Sequence, residues 1–175
     1  MNWNFVTDNY LIRLPVSERD GDALFNLLRQ QGVVDHIPRL AMSINEQALD
    51  ELRRIALRFE TREAAFWLIE KEGTGELVAR IGIQNINWMM LNCQLQWELA
   101  PACDLTALQE IVPAILHFVF NELRLHRVEM RIRSNNDVHA HLLETLGFSK
   151  EGTLPSQFEY SGEDISLDIW SILAD

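Results

Sequence analysis

The strictest constraint on this chain lies in residues 92–100, "NCQLQWELA". Apolar and polar side chains alternate there without a break. Cys93, Leu95, Trp97 and Leu99 fall on one side, and Gln94, Gln96 and Glu98 on the other. Successive strand side chains point to opposite faces, so this period predicts a β-strand with one face against a core. The following "PACDLTALQEIVPAILHFVF" loses the period and reads as a loop and then a helix reaching roughly to Leu123.

Other segments extend the pattern in both directions. "YLIRLPV" (10–16) predicts a first strand, and "SERDGDALFNLLRQQ" (17–31) a helix with Ser17 as N-cap and Leu24, Leu27 and Leu28 on one face. Residues 33–42 read as a loop closed by Pro38. Residues 43–59 read as a helix with a Ser43/Glu46 capping box and Ala48, Leu52, Ile55 and Phe59 at helical spacing. Segments 64–72 and 76–86 flank "GTG" as a hairpin. Residues 126–133 predict a strand, 136–146 a helix ended by Gly147 in a left-handed cap, and 148–173 two strands around "YSGED". The expected order is β-αα-βββ-α-β-α-ββ, a mixed, mostly antiparallel α/β sheet of about seven strands and about four helices. Without linker or repeat, residues 1–175 are expected to form one domain.

Composition narrows the function classes. A net charge of −11 argues against a nucleic-acid partner, which needs a basic face, and is compatible with a cationic or amine-bearing one. Apolar content of 47% is that of a globular protein, and no apolar run reaches the ~18–20 residues of a membrane helix. The N-terminus lacks signal-peptide character, so the expected location is cytoplasmic, with Cys93 and Cys103 as reduced thiols. No metal-ligand spacing occurs; His139 and His141 fall on different helix faces.

"YLIRLPVSERDGDALFNLL", "GELVARIGIQNI", "WELAP", "NELRLHRVEMRI" and "LGF-x-x-EG-x-L" occur in an order and spacing that resemble the GNAT superfamily of acyl-CoA-dependent N-acetyltransferases over nearly the whole chain. The resemblance is greatest to the branch that acetylates ribosomal-protein N-termini and related amines. It implies acetyl-CoA as cosubstrate, no metal, a primary amine or protein N-terminus as acceptor, and a homodimer. It also implies a gap between two strands that takes the pantetheine arm along the backbone of Trp97, Glu98 and Leu99. The pyrophosphate would lie on amides near Leu105, Thr106 and Ala107, and Asn136 would either lie at the cofactor or serve simply as the N-cap of its helix. His139 stands where the branch commonly has a serine near the cofactor sulfur, and a histidine can serve there as acid or base. His36 and Arg39 fall in the loop that borders the acceptor. Tyr160 is a candidate to protonate the leaving thiolate. Trp88, Trp97 and Trp170 are either channel lining or core.

The loop 101–108 departs from that family's pattern. The expected glycines are absent, with Leu105 and Ala107 nearest their places, and Asp104 stands near a usual Gln or Arg. Either Thr106 with Gln109 or Asp104 alone is placed to cap the helix, using donors a pyrophosphate needs. A carboxylate about 5 Å from a phosphate, at an effective dielectric of about 20, costs about 3 kcal/mol, roughly a hundredfold in affinity. Pro113 would kink a helix begun near Thr106 but fits one begun near Glu110, and the later or kinked start is favoured. Gln94 stands where the family often has a glutamate base. Glu98, about 13 Å along the strand, serves only in a rearranged site and otherwise is a solvated or salt-bridged carboxylate. These departures keep a second function open: a non-catalytic binding or regulatory protein that has lost normal acetyl-CoA binding.

Overall fold

The computed structural model describes residues 1–37 and 39–175, so the predicted closure of the first long loop by Pro38 lies outside the described residues. Eight strands form one sheet: β1 Phe5–Val6, β2 Tyr10–Arg13, β3 Ala65–Lys71, β4 Leu77–Asn87, β5 Asn92–Leu99, β6 Arg127–Arg133, β7 Ser149–Tyr160 and β8 Glu163–Leu173. Their spatial order is β1-β2-β3-β4-β5-β6-β8-β7, with all neighbours antiparallel except β5 and β6. The helices are α1 Gly21–Leu28, α2 Gln31–Val34, α3 Asn45–Glu60, α4 Leu105–His117 and α5 Asp137–Thr145. The mixed α/β architecture is the one expected, with one extra strand and one extra helix.

The extra elements have local causes. Phe5–Val6 is too short to show a period and forms only because it pairs with Leu11–Ile12. The predicted helix 17–31 is broken. Ser17 makes no cap bond, and a 3₁₀ turn at Glu18–Asp20 precedes α1. Both Asp20 carboxylate oxygens are gripped by Arg13, and one also accepts from the Val16 N–H, which fixes the entry turn. The capping signal of α3 is displaced by one residue: Gln47 Oε1, not Glu46, reaches back to the N–H groups of Ser43 and Ile44.

Both faces of the sheet are covered, as strand alternation requires. Phe66 and Leu68 of β3 join the core beneath α1, α2 and α3. Trp67 and Ile69 face the other core with Cys93, Leu95, Trp97, Val128, Met130 and Ile132, under α4 and Leu143 of α5. Trp97 and Trp170 are thus core residues, whereas the partly exposed Trp88 lies beneath the Arg62 guanidinium. Gly147, at φ 95°, ends α5: its N–H donates to the Glu144 carbonyl and that of Phe148 to Leu143, the paired cap that a left-handed residue permits.

Gly82 of β4 is required by close approach. The Phe66 ring lies against it, and a Cβ built there would overlap three ring atoms. Phe66 is buried, with Arg80 above its face, and has nowhere to retreat. Gly82→Ala is therefore expected to destabilise the protein by about 1–3 kcal/mol in denaturant unfolding, as over-packed cores do.

Candidate functional site

The site begins where β5 and β6 part. Their parallel pairing runs from Asn92↔Arg127 to Leu95↔Met130 and stops. Both strands continue beyond that point, but only against their outer neighbours: Trp97 with Ile81 and Leu99 with Ala79, Ile132 with Asp168 and Arg133 with Leu167. A gap therefore opens at the C-terminal ends of β5 and β6, and main-chain groups of Trp97 and Leu99 face into it.

His36 occupies this gap. Its Nε2 donates to the Trp97 carbonyl of β5 at 2.7 Å, and its own carbonyl accepts from the Arg133 N–H of β6 at 2.8 Å. The ring stacks on His139 with centroids 4.0 Å apart and planes within 7°. His139 sits in the first turn of α5, where the Asn136 side-chain oxygen caps the helix by accepting the His139 N–H at 3.0 Å. Of the two roles expected for Asn136, the structure shows the N-cap of α5. Burial keeps both imidazoles neutral. It lowers the His36 pKa despite the Trp97 bond and the charges of Glu98 and Asp35, and burial with the neighbouring His36 brings His139 down to about 3.

The gap leads to the N-terminus of α4, which starts at Leu105 rather than near Glu110. Asp104 Oδ1 accepts the Ala107 N–H at 3.0 Å, so Asp104 is the cap and the Thr106/Gln109 alternative is not used. Pro113 lies inside α4, where it removes one donor from the ladder. The helix continues past it, ending in a π turn at Phe118–Glu122. The Cys103 and Leu108 N–H groups are also engaged, by the carbonyls of Ala100 and Asp104. Helix geometry leaves the amides of Leu105 and Thr106 as the orphan donors of the first turn, at the positive end of the dipole. Asp104 is exposed, so water screens its charge. Repulsion toward an anion falls from about 3 to about 1 kcal/mol as the dielectric approaches that of water.

Glu98 is not available as a base. It is fully buried, with Arg80 Nε at 3.1 Å and NH2 at 2.7 Å, Gln96 Nε2 at 2.9 Å and Arg39 at 3.6 Å. Burial pushes its pKa up, but the Arg80 charge and hydrogen bonds outweigh that and hold it below the ordinary carboxylate value. Arg39, predicted to border the acceptor, also binds Glu51 at 2.7 Å, and Glu51 in turn meets Arg80 and Arg54. This buried ionic cluster carries α3 onto β4 and β5. Arg80 and Glu51 were missed as its centre. A strand arginine on the face of Glu98 was the available signal, but only the register Arg80↔Glu98 makes them partners. Gln94 lies in the paired part of β5 and accepts from Asn85, away from the gap.

Tyr160 lies at the end of β7 with the Arg133 guanidinium over its ring, 5.3 Å from the centroid. Together with Phe158, Asp35, Ile37 and Arg39 the two line a cavity of about 280 Å³ beside the turn that carries His36. The structure thus brings His36, His139 and Trp97 into direct proximity and sets Arg39 and Tyr160 around the neighbouring cavity. Among the described residues no three His, Cys, Asp or Glu side chains converge as metal ligands, and no helix is long and apolar enough to cross a membrane.

Comparison with known proteins agrees with this architecture. The Acetyltransferase (GNAT) domain profile matches residues 10–149. An uncharacterized N-acetyltransferase of Bacillus subtilis (strain 168), YoaA, is 23% identical over 168 residues, 95% of this chain and 94% of the relative. Among solved structures, the RimL ribosomal L7/L12 α-N-protein acetyltransferase in complex with coenzyme A superposes with a TM-score of 0.85 at 13% identity, covering 97% of this chain and 96% of that one. Spermidine N-acetyltransferase from Vibrio cholerae, in complex with CoA and spermine, superposes with a TM-score of 0.80 at 19% identity, covering 94% and 95%.

The neutral imidazoles couple stability to pH. His139 has a folded pKa of about 3, below the 6.5 of an exposed imidazole, so its contribution is complete above pH 6.5 and is lost as pH falls. That loss amounts to about 2 kcal/mol between pH 7 and pH 5. Glu51, held near 2 instead of 4.5, adds its own loss only below about pH 4.5. Urea unfolding of His139→Gln is expected to show a correspondingly shallower fall between pH 7 and pH 5 than the native chain.

Proposed function

The chain belongs to the GNAT acetyltransferase family, and from that premise we propose that it transfers an acetyl group from acetyl-CoA to a primary amine, as an N-acetyltransferase. The observation that carries this reading is the early end of the β5–β6 ladder. It leaves strand-edge carbonyl and N–H groups beside the start of α4, the complement of an extended amide-bearing arm ending in a diphosphate. The thioester supplies an activated acyl carbon. The backbone of Trp97, Glu98 and Leu99 would align the arm, with Trp97 and Leu99 presenting their polar groups to it. The Leu105 and Thr106 amides would take the diphosphate. With Ala107 held by Asp104, the phosphate seat has fewer donors than a glycine loop offers, and weaker binding is expected.

His139 is the group at the gap suited to proton transfer. With its pKa at about 3 in the unliganded fold it is a weak base at neutral pH, so taking the proton of the attacking amine and returning it to the leaving thiolate requires that bound substrate raise that pKa. Glu98 has no proton-transfer role, because its oxygens are bound by arginines. Tyr160 and Arg39 border the cavity through which the acceptor amine would approach. Relatives that acetylate a ribosomal protein and spermidine both have this fold, so the acceptor class here is put no more finely than a primary amine, a protein N-terminus included. The engaged cap and the filled gap favour the second reading, a binding protein without turnover.

Acetyl-CoA titration separates the two. Saturation near 100 times the dissociation constant is expected to stabilise the fold by about 2.7 kcal/mol, read as a thermal shift, and no shift at millimolar acetyl-CoA rejects the transferase. Asp104→Asn keeps a capping oxygen and removes the charge, and is expected to tighten binding about fivefold by calorimetry. His139→Ala is expected to lower kcat about a hundredfold while leaving acetyl-CoA affinity within about twofold.

A further inference from the structure

His36 was expected at the acceptor side of the site, yet its contacts run inward. One edge of its ring is fixed to β5 through the Trp97 carbonyl and its backbone is fixed to β6 through the Arg133 N–H. A side chain tied to both walls of the gap has little freedom, and its flat face is applied to His139. It is fully buried and stands beside the open part of the gap, not out in solvent.

Hydrogen-bond chemistry then assigns the protons. The Trp97 carbonyl is an acceptor only, so His36 carries its hydrogen on Nε2 and a lone pair on Nδ1. For His139 the neighbour is Asn136. The His139 backbone N–H points at the Asn136 side-chain atom, which must therefore be the oxygen. That same oxygen lies 3.3 Å from His139 Nδ1, so the hydrogen sits on Nδ1 and the lone pair on Nε2. His139 Nε2 is buried and has no partner among the described residues. An imidazole with one nitrogen satisfied and the other left as a bare, dry acceptor is set up to accept a hydrogen bond from a bound donor.

We propose that His36 is a positioning residue for His139: clamped across the β5–β6 gap, it holds the His139 ring by face-to-face stacking in the one orientation in which Asn136 fixes its tautomer, with Nε2 as the free hydrogen-bond acceptor. The charged groups near the pair are accounted for. Glu98, on β5, is neutralised by Arg80; Asp35 adjoins His36 in the turn; Arg133 meets His36 through its backbone, with its guanidinium over Tyr160. Asp35 and Glu98 act on His36 and favour its charged form, whereas the electrostatic neighbour of His139 is His36 itself. The stack orients the His139 ring, the Asn136 oxygen selects its tautomer, and burial keeps it neutral. The inference rests on the transferase reading only for its kinetic consequence; the tautomer and the packing stand apart from turnover.

The test is nitrogen NMR of the imidazoles in the intact chain, with His36→Ala and His36→Phe. In the native protein His139 is expected to show a protonated Nδ1 and an unprotonated Nε2, with no titration between pH 8 and pH 5. His36→Phe preserves an aromatic face and is expected to leave both unchanged. His36→Ala removes the face, and His139 is expected to populate both tautomers and to titrate about one pH unit or more higher. If turnover exists, the acid limb of kcat/KM shifts upward with it while the KM for the amine stays within about twofold. A native His139 protonated on Nε2, an Ala variant with native His139 signals, or a Phe variant disturbed as much as Ala would each overturn the assignment. Absence of acetyl transfer would reject the transferase reading and leave the NMR result intact.

Discussion

Everything at the site depends on how far two parallel strands stay paired. β5 and β6 share four residue pairs and then separate. Each is held on its far side by an antiparallel ladder that continues, so the sheet splits down one seam without unravelling. Backbone polar groups exposed by such a split must find partners, since burying them unsatisfied costs a few kcal/mol each. In this molecule part of that demand is met by the turn after α2, through the His36 ring on one side and its carbonyl on the other. The same groups would accept the amides of an extended ligand, so the chain's own satisfaction of its backbone and its capacity for a partner draw on one set of atoms.

The two faces of the sheet treat charge in opposite ways. Beneath α3, full charges are buried and paired: Arg80 with Glu98 and Glu51, with the partly buried Arg39 and the exposed Arg54 closing the cluster from outside. Such a cluster is costly to break because removing one member strands another without water. At the gap, the buried ionisable groups are instead kept neutral, as two stacked imidazoles. Neutral groups suit proton transfer, and ion pairs suit holding geometry. The division explains why the strand carboxylate Glu98 is held in ion pairs while the helix histidine His139 stays neutral beside the gap.

The sequence was most legible where periodicity is strong. The alternation in β5 located its faces correctly, α3 was visible from its apolar spacing, and Gly147 marked the end of α5. The site was read less evenly. Asp104 and Asn136 are legible as helix caps and Glu98 as a salt-bridged carboxylate, but the partners that bury Glu98 and stack on His139 are not. The later start expected for α4 from Pro113 is not taken: the helix begins at Leu105 and contains the proline. The helix accepts the lost hydrogen bond, since apolar contacts of Leu108, Ile111, Val112 and Ile115 hold it to the sheet on either side of the proline.

What the sequence determined by itself is the set of local preferences: which face of each segment is apolar, where helices can be capped, and that no glycine cradle stands before α4. Those follow from covalent geometry and side-chain chemistry over a few residues. Only the tertiary structure decided that His36 meets His139 and that Arg80 meets Glu98, pairs 103 and 18 residues apart along the chain. Such contacts depend on strand register and on where β5 and β6 part, and both are set by the packing of the whole sheet between its two layers of helices.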